Sequence, residues 1–181
     1  MTEFPILGTE PTAVEFANTR YGGGFGIAPV DYLRTARLVD QWFAAVGRPG
    51  RHSAEDAARV RELRDHVHVL FAAAATGAVP APDVVAGVNA FAAAASPALA
   101  LTWAPDGTRR ATRVDAGTGV TAVLARLATD AVDLLTTGTL ATCAGCTMFF
   151  VRTHARRRWC NPTCGHRDRQ ARYYRRHRSH P

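Results

Sequence analysis

All four cysteines of this 181-residue chain fall between positions 143 and 164, spaced C-x2-C, thirteen residues, then C-x3-C. Two close thiol pairs separated by a spacer of hairpin length are what a tetrahedral Zn²⁺ site needs. Each pair folds into a tight knuckle presenting two sulfurs about 2.3 Å from the metal, and the spacer returns the chain to close the shell. Other uses of the cysteines fit less well. Two disulfides require an oxidising compartment, yet MTEFPILGTEPTAVEF at the N-terminus has neither a basic stretch nor the apolar run of an export signal. A C-x-x-C redox centre belongs in a βαβ setting, whereas this pair lies in an arginine-rich tail. Four thiolates leave no open coordination position, so the zinc expected on Cys143, Cys146, Cys160 and Cys164 is structural. His154 and His166 lie close enough in sequence to replace a cysteine; each reads as a solvent-facing or backbone-capping residue.

The charge around these cysteines is one-sided. Residues 143–181 hold ten arginines and one acid, Asp168, a formal charge of +9; four thiolates and one Zn²⁺ would bring it to about +7. The preceding 142 residues hold twelve arginines and fourteen acids, and the chain has no lysine. Guanidinium is the better fork for phosphate and for guanine edges. The sequence predicts a helix from Thr163 or Cys164, with Asp168 in its first turn and Arg169, Arg172, Tyr173 and Arg176 on one face. Such a helix suits the DNA major groove. Arg156, Arg157, Arg158, Arg167, Arg169, Arg172, Arg175 and Arg176 are the expected nucleic-acid contacts, with Trp159, Tyr173 and Tyr174 available for stacking or packing. Basic, aromatic zinc modules also bind RNA or single strands, so RNA is the weaker alternative.

The first 140 residues read as mainly helical. Thr12–Ala17 alternates weakly and is expected to be a short strand. Tyr-Gly-Gly-Gly-Phe-Gly over residues 21–26 fits neither nucleotide-loop fingerprint and reads as a turn or a backbone-exposed ligand loop. Asp31 is the expected N-cap of a helix ending near Gly47, with Tyr32, Ala36, Val39, Trp42, Phe43 and Val46 inward. Ser53 and Asp56 form a capping box opening a longer helix whose inner face is Ala57, Val60, Leu63, Val67, Leu70 or Phe71, and Ala74. His66 and His68 point to different faces and make no metal pair. Asp83 is expected to cap a third helix, with Val84, Val88, Phe91, Ala92 and Ala95 on one side, ended at Ser96-Pro97. Ala98–Trp103 and Arg109–Val114 flank a Pro-Asp-Gly turn and predict an antiparallel hairpin. A fourth helix is expected over residues 118–135, and the short linker after it packs the zinc module near that helix. No catalytic constellation is visible, and no apolar run reaches membrane-spanning length. A non-enzymatic, cytoplasmic protein is expected.

CAGC, a basic run with Trp159 directly before Cys160, and CNPTCGHRDRQARYYRRHR together resemble the CGNR zinc-finger family. Cys164-Gly165-His166-Arg167 stands where that family has Cys-Gly-Asn-Arg. TAVEFANT, with Asn18-Thr19, followed by a Leu-, Trp- and Phe-rich helix, is similar to the opening of the ABATE domain that usually precedes this finger. The resemblance implies an ABATE-like domain over residues 1–138 and, over 139–181, a treble-clef or ribbon-like four-cysteine module ending in a basic helix. It also implies a stress-induced transcription regulator that binds DNA, with the helical domain sensing or assembling. A homodimer on palindromic sites and a small-molecule effector are the further partners expected of such a regulator. The rival readings are an RNA-binding protein and a ligand-binding or enzymatic N-terminal domain carrying a protein-interaction finger.

Overall fold

The structure is a computed structural model that describes residues 4–22, 28–95, 98–114 and 119–177. The glycine-run reading and the helix stop at Ser96-Pro97 fall largely or wholly outside these residues. Six helices are joined by three separate two-stranded antiparallel pairs among the described residues, so the mainly helical reading with a small hairpin holds.

Thr12–Ala17 is helix α1, not a strand. Ala13, Val14, Phe16 and Ala17 are fully buried and Glu15 nearly so. A helix buried on every side shows no amphipathic period, which is why six residues of weak alternation mislead. Pro11 precedes it, and its carbonyl accepts the amides of Val14 and Glu15. The Glu15 carboxylate ties the incoming chain to α1 by accepting the amides of Leu7 (3.0 Å) and Gly8 (2.7 Å). Burial raises its pKa despite those bonds.

Strands β1 (Arg20–Tyr21) and β2 (Val30–Asp31) pair next. Asp31 does not cap a helix. Its carboxylate accepts the Leu33 amide and receives both Nη groups of Arg64 at 2.8 Å. Burial alone would raise the Asp31 pKa; Arg64 outweighs it and the net shift is downward. Helix α2 (Ala36–Ala45) therefore starts later, capped by Thr35 through the Leu38 amide, and buries Leu38, Val39, Trp42 and Phe43.

The capping box at Ser53 and Asp56 forms as expected and opens the central helix α3 (Ala54–Thr76), which Gly77 closes at φ 74°. Its buried side follows the expected stripe until the last turns, where Ala73 replaces Ala74. Over 23 residues, steps of three and four drift around the cylinder, so the ends of a long stripe are the least determined. Helix α4 (Pro82–Ala93) begins with Pro82 after Ala81; Asp83 lies inside the first turn, where it complements the dipole but caps nothing. It crosses α3 closely at Gly87, where an added Cβ would meet the His66 ring at 2.7 Å. Strands β3 (Ala98–Trp103) and β4 (Arg109–Val114) form the expected antiparallel hairpin, with Ala98 opposite Val114 and Trp103 opposite Arg109. Helix α5 (Gly119–Thr137) returns along α3 and α4.

Strands β5 (Leu140–Thr142) and β6 (Phe149–Val151) follow directly. They pack on α3 and α1, not chiefly against the fourth helix as expected. Successive residues of a strand face opposite sides, and here the two sides meet different cores. Leu140 and Phe149 join the helical core with Trp42, Leu63 and Phe71, whereas Ala141 and Phe150 join a small cluster with the four cysteines and Met148. The hairpin is a partition shared by both. Last comes helix α6 (Pro162–His177).

Candidate metal centre and basic helix

The four sulfurs converge. They lie within 4.8 Å of one another, all four residues are buried, and none is in a disulfide. The Cys146–Cys160 and Cys160–Cys164 separations are 3.5 and 3.7 Å. A tetrahedron with metal–sulfur bonds of about 2.3 Å has edges of about 3.8 Å, so these spacings suit zinc. The first knuckle is closed by the Cys143 amide donating to the Met148 carbonyl (2.8 Å) and the Thr147 amide to the Cys143 carbonyl (3.2 Å). Thr147 is the only non-glycine residue at positive φ (69°) among the described residues, the local strain that turns the loop back on the metal side. The second pair straddles a helix start: Asn161 Oδ1 accepts the Cys164 amide (2.9 Å), with Pro162 at the first helical position. Asn161-Pro162 is a helix-start signal that the cysteine spacing obscured.

The chemistry of the donor set also fits a dication. A hydrogen bond from Cys146 pulls the Cys143 thiol strongly down, and the same contact pushes Cys146 up to about 12. Cys143 drives Cys160 up, and burial raises Cys164. A bound Zn²⁺ supplies the positive charge that lets all four ionise and hold one geometry.

The module is braced from three sides by the N-terminal residues. The side-chain amide of fully buried Asn18 donates to the Phe149 carbonyl (3.0 Å), and its oxygen accepts the Phe149 amide (2.7 Å). Glu10 accepts the Val151 amide (2.8 Å) and Arg157 Nη2 (2.6 Å). Thr147 Oγ1 donates to the Gly22 carbonyl at 2.9 Å.

Arg157 therefore differs from its neighbours. Its guanidinium also donates to the carbonyls of Val151 (2.8 Å) and Cys160 (2.9 Å) and lies 4.8 Å from the Phe150 ring. It is committed to the protein, while Arg156 and Arg158 are exposed. Trp159 is half-buried and packs against Gly165, where an added Cβ would sit 3.3 Å from the ring. Along α6, Arg167, Arg169, Arg172 and Arg176 are exposed, as are Tyr173 and Tyr174; the Arg175 side chain lies outside the described residues. Tyr173 stacks on His177 at 3.9 Å. Because α6 begins at Pro162, Asp168 sits beyond the first turn, where it pairs with Arg172 at 2.9 Å. His154 and His166 are exposed.

Residues 140–177 match the CGNR zinc finger, and residues 10–138 match ABATE, described as "Putative stress-induced transcription regulator". The chain belongs to the ABATE family and ends in a CGNR zinc finger. No curated protein matches it. Both matched families are of regulator or zinc-finger type, and among the described residues no helix is long and apolar enough to cross a membrane.

In this ABATE–CGNR chain, Glu10, Asn18 and Arg157 are the residues that sequence reasoning missed as interface groups. His68 belongs with them: its ring lies edge-on to Phe149 (4.9 Å), with Nδ1 3.3 Å from the Ala17 carbonyl. Burial lowers its pKa. The fold thus favours neutral His68, and the unfolded chain takes up the proton first as pH drops below about 6.5. Stability from this site is complete above that pH and is lost on acidification toward the lower folded value. Melting temperature should fall as pH is lowered from about 7 to about 5.5, and His68→Leu should flatten that slope relative to the parent.

Proposed function

We propose that the chain is a zinc-dependent, DNA-binding transcription regulator in which the cysteine cluster sets the start and direction of α6 and its arginines engage the phosphate backbone. The observation that carries this reading is the exposure of Arg167, Arg169, Arg172 and Arg176 on a helix whose first turn contains the ligand Cys164. Among the described residues, no other element packs extensively on α6. Its like charges repel in water, and a polyanion neutralises them. Arg156 and Arg158 extend the basic surface beyond the helix. Arg157 acts differently, holding the module against Glu10 so that α6 keeps a fixed orientation to the helical domain.

The helical domain senses or assembles in this reading. A cavity of about 310 Å³ between α3, α4 and α5, lined by Leu70, Val85, Val88, Val132 and Leu135 together with Asn89 and Thr136, favours a largely apolar effector. A melting rise on titration with such a compound, abolished by Val88→Trp, would support it; no rise across a panel of apolar compounds would remove it.

Fluorescence anisotropy of the zinc-loaded chain against random duplex DNA and random RNA, at low and physiological salt, tests the central proposal. Duplex DNA should bind more tightly, with log K falling by roughly four to five per tenfold rise in salt if about five phosphates are neutralised. Preference for RNA would establish the RNA alternative. Binding of neither would leave the finger as a protein-interaction module.

A further inference from the structure

The basic tail is not the only place where charge and aromatic surface coincide. Residues 98–114 carry three arginines and one acid, whereas the other residues up to Thr142 carry nine arginines and thirteen acids. This excess positive charge sits on the β3–β4 ribbon. Among the described residues, the only extensive packing either strand makes with another element is with its partner strand. The register places Trp103 opposite Arg109 and Leu101 opposite Ala111 on one face, with Thr102 opposite Arg110 on the other. Trp103 is 63 % exposed and Leu101 65 %, and the Arg109 guanidinium lies 4.6 Å from the Trp103 ring centroid. Arg110 is exposed as well. A lone two-stranded hairpin with bare apolar side chains is marginal in water, and an occupant that covers them would stabilise it.

We infer that this ribbon is a second DNA contact of the chain, separate from α6. A two-stranded ribbon has the width of the major groove, and guanidinium groups match phosphates. Trp103, held against Arg109, offers an apolar face to thymine methyl groups in the groove. The occupant is duplex DNA: charge complementarity favours a polyanion, and the reading of α6 already brings one to the molecule. The inference rests on that reading and extends its footprint.

The test uses full-length, zinc-loaded protein with Arg109→Ala/Arg110→Ala, and separately Trp103→Ala. The double variant should bind duplex DNA about tenfold more weakly at physiological salt. Its salt slope should be shallower by about two, near one for each phosphate that is no longer neutralised. Trp103→Ala should weaken binding severalfold with the slope unchanged. Zinc content and melting temperature should match the parent, because no other described element packs extensively on the ribbon. Parent-like affinity and slope in both variants would overturn the inference while leaving the α6 reading standing. A change in oligomer mass with DNA affinity intact would also overturn it, assigning the face to a second copy of the chain. Failure of the parent to bind any duplex would remove both readings.

Discussion

A Cys160→Ser chain should carry well under one zinc per molecule, lose the fold of residues 140–177, and bind duplex DNA at least about a hundredfold more weakly. Cys160 is buried at the middle of the cluster, 3.5 and 3.7 Å from two other sulfurs. A serine oxygen is shorter, harder and protonated at neutral pH, so it replaces the ligand poorly. The energy at stake is large, since structural zinc supplies about 10–16 kcal/mol of apparent folding free energy in small fingers. The loss should not stay local. Leu140 and Phe149 lie in the helical core while Ala141 and Phe150 lie among the cysteines, so melting of β5–β6 strips cover from α1 and α3. Metal analysis, a melt and a DNA titration on one preparation check all three effects. Full zinc with parent affinity would mean that another group completes the shell.

The second large effect is expected from Asn18→Ala. The substitution deletes both hydrogen bonds to Phe149 and leaves a backbone amide and a carbonyl buried without partners. Each orphaned group costs about 1–3 kcal/mol, and roughly 3 kcal/mol in total lowers the melting temperature of a chain this size by about 6–12 °C. Asn18→Asp should be at least as damaging, because a carboxylate cannot donate to the Phe149 carbonyl and its charge would be buried. Zinc should also leave faster to a chelator in both variants, since the strand that carries Phe149 also carries Phe150 into the cysteine cluster. A melt within about a degree of the parent would show that this bond pair does not hold the finger to the helical domain.

What could be read from the chain beforehand is local. The capping box at Ser53 and Asp56, the Pro-Asp-Gly hairpin and the two cysteine knuckles each depend on residues a few positions apart. What could not be read depends on distant partners. Asp31 has the chemistry of a helix cap, but Arg64, 33 residues later, takes its carboxylate. Helix α1 has no visible period because every side of it is covered. Arg157 is indistinguishable in composition from Arg156 and Arg158; only the placement of Glu10 beneath it, 147 residues away in sequence, turns it inward. Asn18 likewise looks like a turn residue until Phe149 is set against it.

With α6 as the DNA-binding element, the most direct measurement is the salt dependence of duplex affinity for the full-length zinc-loaded parent and for Arg169→Ala/Arg172→Ala/Arg176→Ala. These side chains are exposed, so zinc content and melting should be preserved. The predicted result is a loss of at least about a hundredfold in affinity at physiological salt and a slope shallower by about three. A triple variant that binds duplex DNA with the parent's affinity and slope would contradict the assignment of α6.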